Sequence, residues 1–354
     1  MPNKHGLRIL IATVRVPFVN GGAEIHAEGL CRALREAGHQ AEIIAIPFKW
    51  YPPERILDQM LACRLLDLSE TVGVAVDRLI GLKFPAYLIP HPRKVIWLLH
   101  QHRQAYDLWK HPLDDLDRYP NGDEVRAAIV RADTELIPQA LHVFANSRNV
   151  AGRLEKFCGV QAAPLYHPPR DATLFHTLPA EDFLYFPSRI NPLKRQDLVI
   201  EALAQTRLPV KVYFSGSADE ATFERKCAAL AQKHGCANRV QWLGTVSEEK
   251  KRDLYARTLG VLFPPIDEDY GYITLEAMLA QKPVITCADS GGPLEFVIER
   301  QTGIVAEPTP EALAAAMDNL WADRERARQW GEAGRQRYDS LHIDWGHVVE
   351  KLLA

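Results

Sequence analysis

Short apolar runs alternate with helix-like segments along this whole sequence, and the alternation constrains the fold more than any other feature. The first run, Leu7–Val14, is short and mostly apolar, which is typical of a buried parallel strand. The next segment repeats apolar residues every three or four positions from Ala23 to Ala37, as one helical face does. Gly38 follows, where a glycine commonly ends a helix. The pattern predicts a strand and a helix in succession.

The same pattern recurs to the end of the chain. Further strands are predicted at Ala41–Pro47, Val95–His100, His142–Ser147, Phe183–Pro187, Val210–Ser215, Val240–Leu243, Gly260–Pro264, Pro283–Ala288 and Gly303–Ala306. Between Tyr51 and Leu82 the pattern predicts only a helix near Glu54–Leu66, and Trp345–Leu353 predicts a last amphipathic helix. Parallel strands joined by helices form doubly wound α/β sheets. We therefore expect two Rossmann-like domains.

A boundary between the two domains is predicted near Tyr166-His167-Pro168-Pro169, because paired prolines interrupt regular structure. The length of 354 residues also favours two domains. The first domain is expected at residues 1–167 and the second at residues 168–337.

Composition excludes several classes of protein. The 42 Lys and Arg against 45 Asp and Glu give a net charge of −3, which argues against a nucleic-acid partner. The six cysteines are scattered without paired spacing, so reduced thiols and a cytoplasmic location are expected. The first apolar run is too short for a signal-peptide core, and no apolar stretch approaches the roughly 20 residues of a membrane span.

Glycines and charged residues cluster where predicted strands end, which is where open parallel sheets bind ligands. Gly21 and Gly22 precede a helix, so backbone N–H groups there could meet an anion or sugar hydroxyls; the alternative is a tight turn between strand and helix. The segment lacks the G-x-G-x-x-G pattern, which argues against a dinucleotide-dependent oxidoreductase. Arg189 and Lys194 follow a second-half strand, where two cations suit a diphosphate; the alternative is solvated surface charge.

Two acidic residues flank the start of a later predicted helix. Glu268 precedes this helix and Glu276 falls in its first turns, where carboxylates can hold sugar hydroxyls or simply complement the helix dipole. Asp267 and Asp269 form a D-x-D pair, but the neighbouring sequence supplies no further metal ligands, so no metal site is expected. A second glycine pair, Gly291-Gly292, opens the next helix or forms a plain turn.

The histidines divide into two groups. His100 ends the strand predicted at Val95–His100, a position that favours a place in the site over a buried structural one, and His102 is its rival for that place. His26 and His167 are expected to be structural.

Taken in order, these pieces resemble the retaining glycosyltransferases of family 4, which have the GT-B fold. The matching motifs are Gly21-Gly22-Ala-Glu24, Ala145-Asn146-Ser147, Arg189 with Lys194, Glu268-x7-Glu276 with Gly271 between, and Gly291-Gly292-Pro-Leu-Glu295. Each is weak alone, but five in this order cover nearly the whole chain.

The resemblance implies two Rossmann-like domains facing a cleft, with residues 338–354 crossing back to the first domain. It implies that the first domain binds the acceptor and the second a nucleotide-sugar, linked to UDP or GDP. It assigns catalytic roles to Arg189, Lys194, Glu268 and His100, and donor binding to Gly21, Gly22, Gly244, Gly271, Tyr272, Ile273 and Glu276.

The implied activity is transfer of a hexose to an acceptor hydroxyl with retention of configuration, without metal or other cofactor, in surface polysaccharide or glycoconjugate synthesis. The acceptor would be a glycan, a lipid-linked molecule or a small molecule. The resemblance is also compatible with peripheral contact with the membrane. A nucleotide-sugar epimerase and a phosphorylase share the architecture and are the alternatives. Where the family commonly has glycine this chain has Asp269, whose side chain is expected to face solvent.

Overall fold

The computed structural model describes residues 6–19 and 21–354. Asn20, beside the predicted glycine turn, and the first five residues of the chain lie outside the described residues. The chain divides into two compact units. The first comprises Met1–Arg170 with Asp344–Ala354, and the second Asp171–Ile343. The divisions thus fall after Arg170 and Ile343, where the sequence places them after residues 167 and 337.

The first unit contains a six-stranded parallel sheet in the order β2-β1-β5-β6-β7-β8, and a small antiparallel hairpin of β3 and β4. The strands are β1 (Arg8–Arg15), β2 (Gln40–Pro47), β3 (Glu70–Thr71), β4 (Val74–Ala75), β5 (Arg78–Gly81), β6 (Lys94–Leu98), β7 (His142–Ala145) and β8 (Ala163–Pro164). The four predicted strands of this half are confirmed. The hairpin, β5 and β8 are not predicted.

Helices cover both faces of each sheet. They are α1 (Gly22–Glu36), α2 (Glu54–Leu65), α3 (Gly122–Leu136), α4 (Arg148–Cys158), α5 (Gln196–Gln205), α6 (Ala221–Lys233), α7 (Glu248–Arg257), α8 (Tyr272–Leu279), α9 (Pro310–Ala322), α10 (Arg324–Ser340) and α11 (Trp345–Leu353). The predicted helices near Glu54–Leu66 and at Trp345–Leu353 are confirmed as α2 and α11. Gly38 follows α1 with φ of 89°, as a terminating glycine does.

The first sheet buries alternate side chains on opposite faces, as the two-residue period of a strand requires. Ile9 and Ile11 of β1 pack into a core shared with α1 and α11, whereas Leu10 and Ala12 face the core under α2, α3 and α4. Both faces of the strand are therefore apolar, which explains the continuous run in the sequence.

The last helix belongs to the first unit, as predicted. Val348 and Leu352 of α11 are fully buried in the core next to α1. Trp345 lies so close to Gly29 that a Cβ on that glycine would stand 2.5 Å from the indole ring. The close approach of α1 and α11 therefore depends on a residue without a side chain.

The second unit contains a six-stranded parallel sheet in the order β11-β10-β9-β12-β13-β14. Its strands are β9 (Leu184–Pro187), β10 (Val212–Ser215), β11 (Val240–Trp242), β12 (Gly260–Leu262), β13 (Val284–Cys287) and β14 (Gly303–Ala306). All six were predicted from the sequence. The strand order reverses between β9 and β12, and at such a point the connecting loops diverge and leave room for a ligand beyond the carboxyl ends.

All six cysteines are buried free thiols. Within residues 6–19 and 21–354, no helix has both the length and the apolar character that crossing a bilayer requires.

Candidate functional site

Three loops at the carboxyl edge of the second sheet are joined through their backbones. They follow the neighbouring strands β9, β12 and β13, and we call them the switch-point loops (residues 188–195, 265–271 and 288–292). Ile266 N–H donates to the Leu193 carbonyl at 2.8 Å, and Glu268 N–H donates to the Ser290 carbonyl at 2.9 Å. The Gly292 N–H returns a bond to the Glu268 carbonyl at 2.7 Å. Residues distant in sequence thus share one site.

Two glycines allow this arrangement at the start of α8. Gly271 precedes the helix with φ of 84°, a left-handed conformation that side chains disfavour. A Cβ on Gly292 would stand 2.7 Å from the Tyr270 carbonyl oxygen, so the two loops could not approach as they do. The helix that follows begins with Tyr272 and Ile273, and the first N–H groups of a helix have no acceptor within it. That end of α8 is suited to an anion.

Lys194 and Glu268, both predicted site residues, contact one another. The Lys194 ammonium donates to Glu268 Oε2 and lies 5.5 Å from the centre of the Phe263 ring. Both side chains are mostly shielded, with 14% and 22% of their surfaces exposed. Lys194 N–H donates to the Asn191 side chain at 3.2 Å, which fixes the loop that carries the lysine. The structure therefore places a cation and a carboxylate together beside the start of α8.

Arg189, the other predicted cation, binds a different carboxylate. Its Nη1 donates to both carboxylate oxygens of Asp219, at 3.0 and 3.1 Å, and its side chain is half exposed. Asn191 Nδ2 donates to the same carboxylate at 2.9 Å. Arg189 is thus turned toward the loop after β10, whereas Lys194 is turned toward the loop after β12.

A third cation of these loops has no predicted role. Arg195 has a positive φ of 61° and forms a bidentate ion pair with Asp289, one arm of which measures 2.7 Å. The sequence signal was present, because Arg195 and Asp289 both follow strands. Their ion pair was not predicted, because it forms only when β9, β12 and β13 are neighbours in the sheet.

Glu276 is held firmly inside the second unit. It is 7% exposed, Tyr255 O–H donates to its Oε2 at 2.7 Å, and Lys251 Nζ donates to its Oε1 at 2.9 Å. Burial lowers the pKa of Lys251, but the charges of Glu276 and Glu248 outweigh it and raise that pKa overall. The carboxylate is therefore oriented by α7, and each oxygen keeps a lone pair for a further donor.

Gly244, also predicted to bind the donor, lies after β11 with φ of 62°. Its carbonyl accepts from Gly216 N–H at 2.8 Å, which joins the loops after β10 and β11. Asp269, for which the sequence predicts a solvent-facing side chain, is half-buried. The described part of the chain contains no cluster of three or more His, Cys, Asp or Glu side chains suited to a metal ion.

The glycine turn of the first unit opens α1. Gly21 is extended, its N–H donates to Glu24 Oε2 at 2.7 Å, and its carbonyl accepts from Ile25 N–H at 3.2 Å. The helix start is thus partly capped by the Glu24 of the same motif. Gly22, the first residue of the helix, is exposed.

His100 and His102 occupy different surroundings after β6. His100 is half-buried, with Nδ1 2.6 Å from the Gln101 carbonyl oxygen. His102 packs on Phe48 and Phe84, with ring centres 6.1 and 5.5 Å away. Burial, with a smaller contribution from neighbouring charges, lowers the pKa of His102 to about 3. His102 is therefore neutral near pH 7 and packs among aromatic side chains, whereas His100 is bound to the loop backbone.

A buried carboxylate accepts hydrogen bonds from the segment that follows β6 and carries His100 and His102. Asp133 of α3 is fully buried and accepts from Tyr106 O–H at 2.7 Å and from Tyr87 O–H at 2.8 Å. The Gln101 amide points at the same carboxylate from 3.4 Å. Burial raises the pKa of Asp133 to about 6 against these hydrogen bonds. Sequence patterns gave no signal for this network.

His26 and His167, expected to be structural, are both buried. Their rings lie 4.2 Å apart, and each also contacts the Trp97 ring. Both rings therefore lie in the core of the first unit, which is consistent with the prediction that they are structural.

Solved structures with similar folds cover almost the whole chain. Sucrose-phosphate synthase from Thermosynechococcus elongatus matches with a TM-score of 0.77 and 19% identity, over 98% of this chain and 97% of that one. Anabaena Alr3699/HepE, solved in complex with UDP and glucose, matches with a TM-score of 0.71 and 19% identity, over 98% of each chain. The two parallel α/β units and these neighbours confirm the predicted GT-B fold class.

Parts of the sequence are similar to glycosyltransferases. Residues 176–337 match the family model described as glycosyl transferases group 1. An α-1,3/1,6-mannosyltransferase, ALG2, of Dictyostelium discoideum is 36% identical over 107 residues, which are 30% of this chain and 25% of that protein. The O-antigen chain mannosyltransferase C of Escherichia coli is 27% identical over 186 residues, which are 52% and 48% of the two chains. The chain thus spans between a quarter and a half of the length of these curated relatives.

Proposed function

We propose that this protein is a retaining, metal-independent glycosyltransferase of family 4, which moves a hexose from a nucleoside-diphosphate sugar to an acceptor hydroxyl. The observation that carries the proposal is the Lys194–Glu268 pair beside the start of α8, at the point where the strand order reverses. This arrangement lies inside the segment that matches glycosyl transferases group 1. None of the relatives described above is an epimerase or a phosphorylase, so neither alternative is carried further.

The chemistry follows from where charge develops. When the bond between the sugar and the diphosphate breaks, negative charge grows on the leaving phosphate oxygens. Lys194, Arg189 and the N–H groups at Tyr272 and Ile273 would stabilise that charge without a metal ion. The leaving phosphate would then accept the proton of the acceptor hydroxyl on the same face of the sugar, and the configuration would be retained.

The other predicted residues take supporting roles. Glu268 would bind donor-sugar hydroxyls while it orients Lys194, and Glu276 would bind the ribose. Gly271 and Gly244 would let backbone approach the donor. In the first unit, Gly21, Gly22 and His100 would meet the donor and the acceptor. The UDP and glucose bound by Alr3699/HepE support a nucleotide-sugar as donor.

The two mannosyltransferase relatives support a place in glycoconjugate or surface polysaccharide synthesis, with a glycan, a lipid-linked molecule or a small molecule as acceptor. We propose a cytoplasmic location, with peripheral contact at the inner face of the membrane where the acceptor is lipid-linked.

The proposal can be tested before the acceptor is known. The full-length protein is mixed with UDP- and GDP-linked glucose, galactose and mannose in the presence of EDTA, and nucleoside diphosphate release is measured. We expect slow release from one donor, undiminished by EDTA, and ¹H NMR of the freed sugar should show the donor's anomeric configuration first. Inversion would refute retention, dependence on a divalent ion would refute metal independence, and no release or binding of any nucleotide-sugar would refute the function.

A further inference from the structure

A basic region lies in the first unit, at the edge of the sheet opposite His100. A surface cavity of about 560 Å³ opens there, lined among others by Arg64, Asp67, His91 and Lys94, and we call it the Lys94 cavity. Lys94 is the first residue of β6, whereas His100 follows the end of that strand. A strand of this length separates its two ends by roughly 15 Å. The cavity is therefore distinct from the loops that carry the predicted site residues of this unit.

Lys94 is a buried cation without a carboxylate partner among the described residues. Lys94 is only 3% exposed, and its ammonium donates to the Tyr87 carbonyl at 3.1 Å. Burial, and next the charge of Arg64, lower the pKa of Lys94 to about 8. Lysine is almost never buried unless it is paired, because removing its charge from water costs free energy.

Arg64 adds a second cation to the same cavity. Its Nη1 donates to the Leu88 carbonyl at 2.9 Å, and no ion pair joins it to an acid within residues 6–19 and 21–354. Two positive side chains thus line one cavity and are bound only to neutral carbonyl oxygens. An anion between them would supply the compensating charge that the protein does not.

His91 lies at the same cavity. Its Nδ1 accepts from the Arg93 N–H at 3.0 Å, so the neutral ring carries its proton on Nε2. That Nε2 atom is buried and makes no hydrogen bond of normal geometry within the described part of the chain, although the backbone of Val76 lies close enough to raise the pKa of the ring. Burial lowers the pKa of His91, and this effect outweighs the interactions with the backbones of Val76 and Arg93, which raise it; the charges of Arg93 and Arg78 lower it further.

The acidic residue of the lining is directed to its own loop. Asp67 Oδ1 accepts from the N–H and the hydroxyl of Ser69, at 2.9 and 2.6 Å. Asp67 is also exposed, so water screens its charge. The balance of charge at the cavity therefore stays positive, with Arg64 and Lys94 against one screened carboxylate.

Another buried lysine lacks the second cation that the Lys94 cavity contains. Lys282 of the second unit is 5% exposed, donates to the Leu178 carbonyl at 3.1 Å, and burial lowers its pKa to about 8. Burial is the one cause of that shift, whereas Lys94 has the charge of Arg64 beside it. The Lys94 site thus differs in having a second cation beside the lysine.

We propose that the Lys94 cavity binds a phosphate group, carried by a small phosphorylated molecule or by a phospholipid headgroup, with Arg64 and Lys94 as its charged ligands and His91 as a donor. A volume of several hundred Å³ is within the range of small-molecule sites, so the cavity has room for more than the phosphate itself. The proposal does not depend on glycosyl transfer, because none of these residues belongs to the proposed active site.

The test follows binding to the Lys94 cavity through the NMR signal of His91. The imidazole signal of His91 is assigned in the full-length protein by comparison with His91→Gln, and its titration is followed by NMR. Inorganic phosphate or glycerol 1-phosphate is then added, with sodium chloride at equal ionic strength as the reference. We expect phosphate to raise the pKa of His91 with saturation, and Lys94→Met to weaken the binding at least tenfold. Lys282→Met, which removes a similarly buried lysine elsewhere, should leave the binding unchanged.

Further arms distinguish the source of the phosphate and protect the test from misfolding. Vesicles of phosphatidylcholine with phosphatidic acid, against phosphatidylcholine alone, identify a lipid headgroup if only the acidic vesicles bind in a Lys94-dependent way. Arg64→Gln serves as a second cavity variant if Lys94→Met unfolds, with Arg55→Gln on the same helix as its control. The proposal is overturned if phosphate, glycerol phosphate and acidic vesicles act no differently from chloride and neutral vesicles. It is also overturned if the cavity variants bind as their controls do.

Discussion

The switch-point loops and the Lys94 cavity both contain positive side chains, but the two regions compensate that charge in opposite ways. In the switch-point loops each cation contacts a carboxylate: Arg189 with Asp219, Lys194 with Glu268 and Arg195 with Asp289. In the Lys94 cavity, Arg64 and Lys94 contact only carbonyl oxygens. A paired cation is held in place before substrate arrives, whereas an unpaired one carries a cost until an anion binds. The first arrangement suits a catalytic site and the second a binding site.

The largest effect is expected from Lys194→Ala, which removes a cation from the proposed site of charge development. Removing one preorganised group of this kind typically slows turnover by about 10² to 10³. Arg189→Ala should also slow turnover, but less, because Arg189 is half exposed and bound to Asp219. Initial rates of donor turnover measure both. Lys226→Ala, on an exposed ion pair with Asp197, is the control, and equal rates for Lys194→Ala and this control would remove the assignment.

Replacing a lysine with methionine should change the stability of the folded protein in opposite directions in the two regions. The pKa of Lys94 is lowered from 10.5 to about 8, so its charge opposes folding at neutral pH, and stability should rise as the pH passes from about 8 to 10.5. Lys94→Met should therefore stabilise the protein at pH 7 by between about 1 and 3 kcal/mol, because the lost bond to Tyr87 offsets part of the gain. Lys194→Met should destabilise it by about 1 kcal/mol, since Glu268 loses its ammonium partner.

Urea unfolding at pH 7 without phosphate measures the difference between these two variants. If both substitutions changed stability in the same direction, the contrast between paired and unpaired cations would be wrong.

His26 differs from these lysines because burial keeps its side chain neutral in the folded protein at neutral pH. Burial lowers its pKa to about 3, so the unfolded chain takes up a proton below pH 6.5 that the folded chain refuses. Stability should fall as the pH falls from about 6.5 to 3, and His26 accounts for about 2 kcal/mol of the loss at pH 5. His26→Leu should remove that share of the slope in urea unfolding at pH 7 and pH 5. The exposed His234→Leu should not, and a wild-type slope in His26→Leu would contradict the prediction.

The smallest effect concerns the backbone that presents α8. Gly271→Ala places a Cβ on a residue with φ of 84° and 3.1 Å from Pro293 Cγ, so it should destabilise by about 1 kcal/mol. Gly152→Ala adds a methyl to the interior of α4 with no atom within 4 Å, and should stabilise by about 0.5–1 kcal/mol. Thermal unfolding should show shifts of opposite sign, and a harmless Gly271→Ala would argue against strain at this turn.

The sequence predicted the fold well because burial on both faces leaves continuous apolar runs. The run at Gly303–Ala306 gave β14 with both ends correct. The strand β5 was missed because its first residue is Arg78, a buried charge that a strand pattern does not predict. The strand β8 has two residues, one of them Pro164, and resembles a loop in sequence.

The site residues were predicted from each loop separately, so the ion pairs that join different loops were not predicted. Arg189 and Asp219 are 30 positions apart, and Arg195 and Asp289 are 94 apart, so their contacts follow from strand order and not from spacing. The Lys94 cavity was missed for the same reason. Arg93 and Lys94 read as adjacent surface charges, although the strand buries Lys94 and leaves Arg93 exposed.

The central claim is that the loops at the carboxyl edge of the second sheet hold the diphosphate of an activated sugar. A crystal structure of the protein with bound UDP or GDP tests it most directly. The account predicts phosphate oxygens within hydrogen-bond distance of Lys194 Nζ and of the first N–H groups of α8. A diphosphate bound elsewhere, with the Lys194–Glu268 contact undisturbed and no ligand beside Gly271, would contradict it.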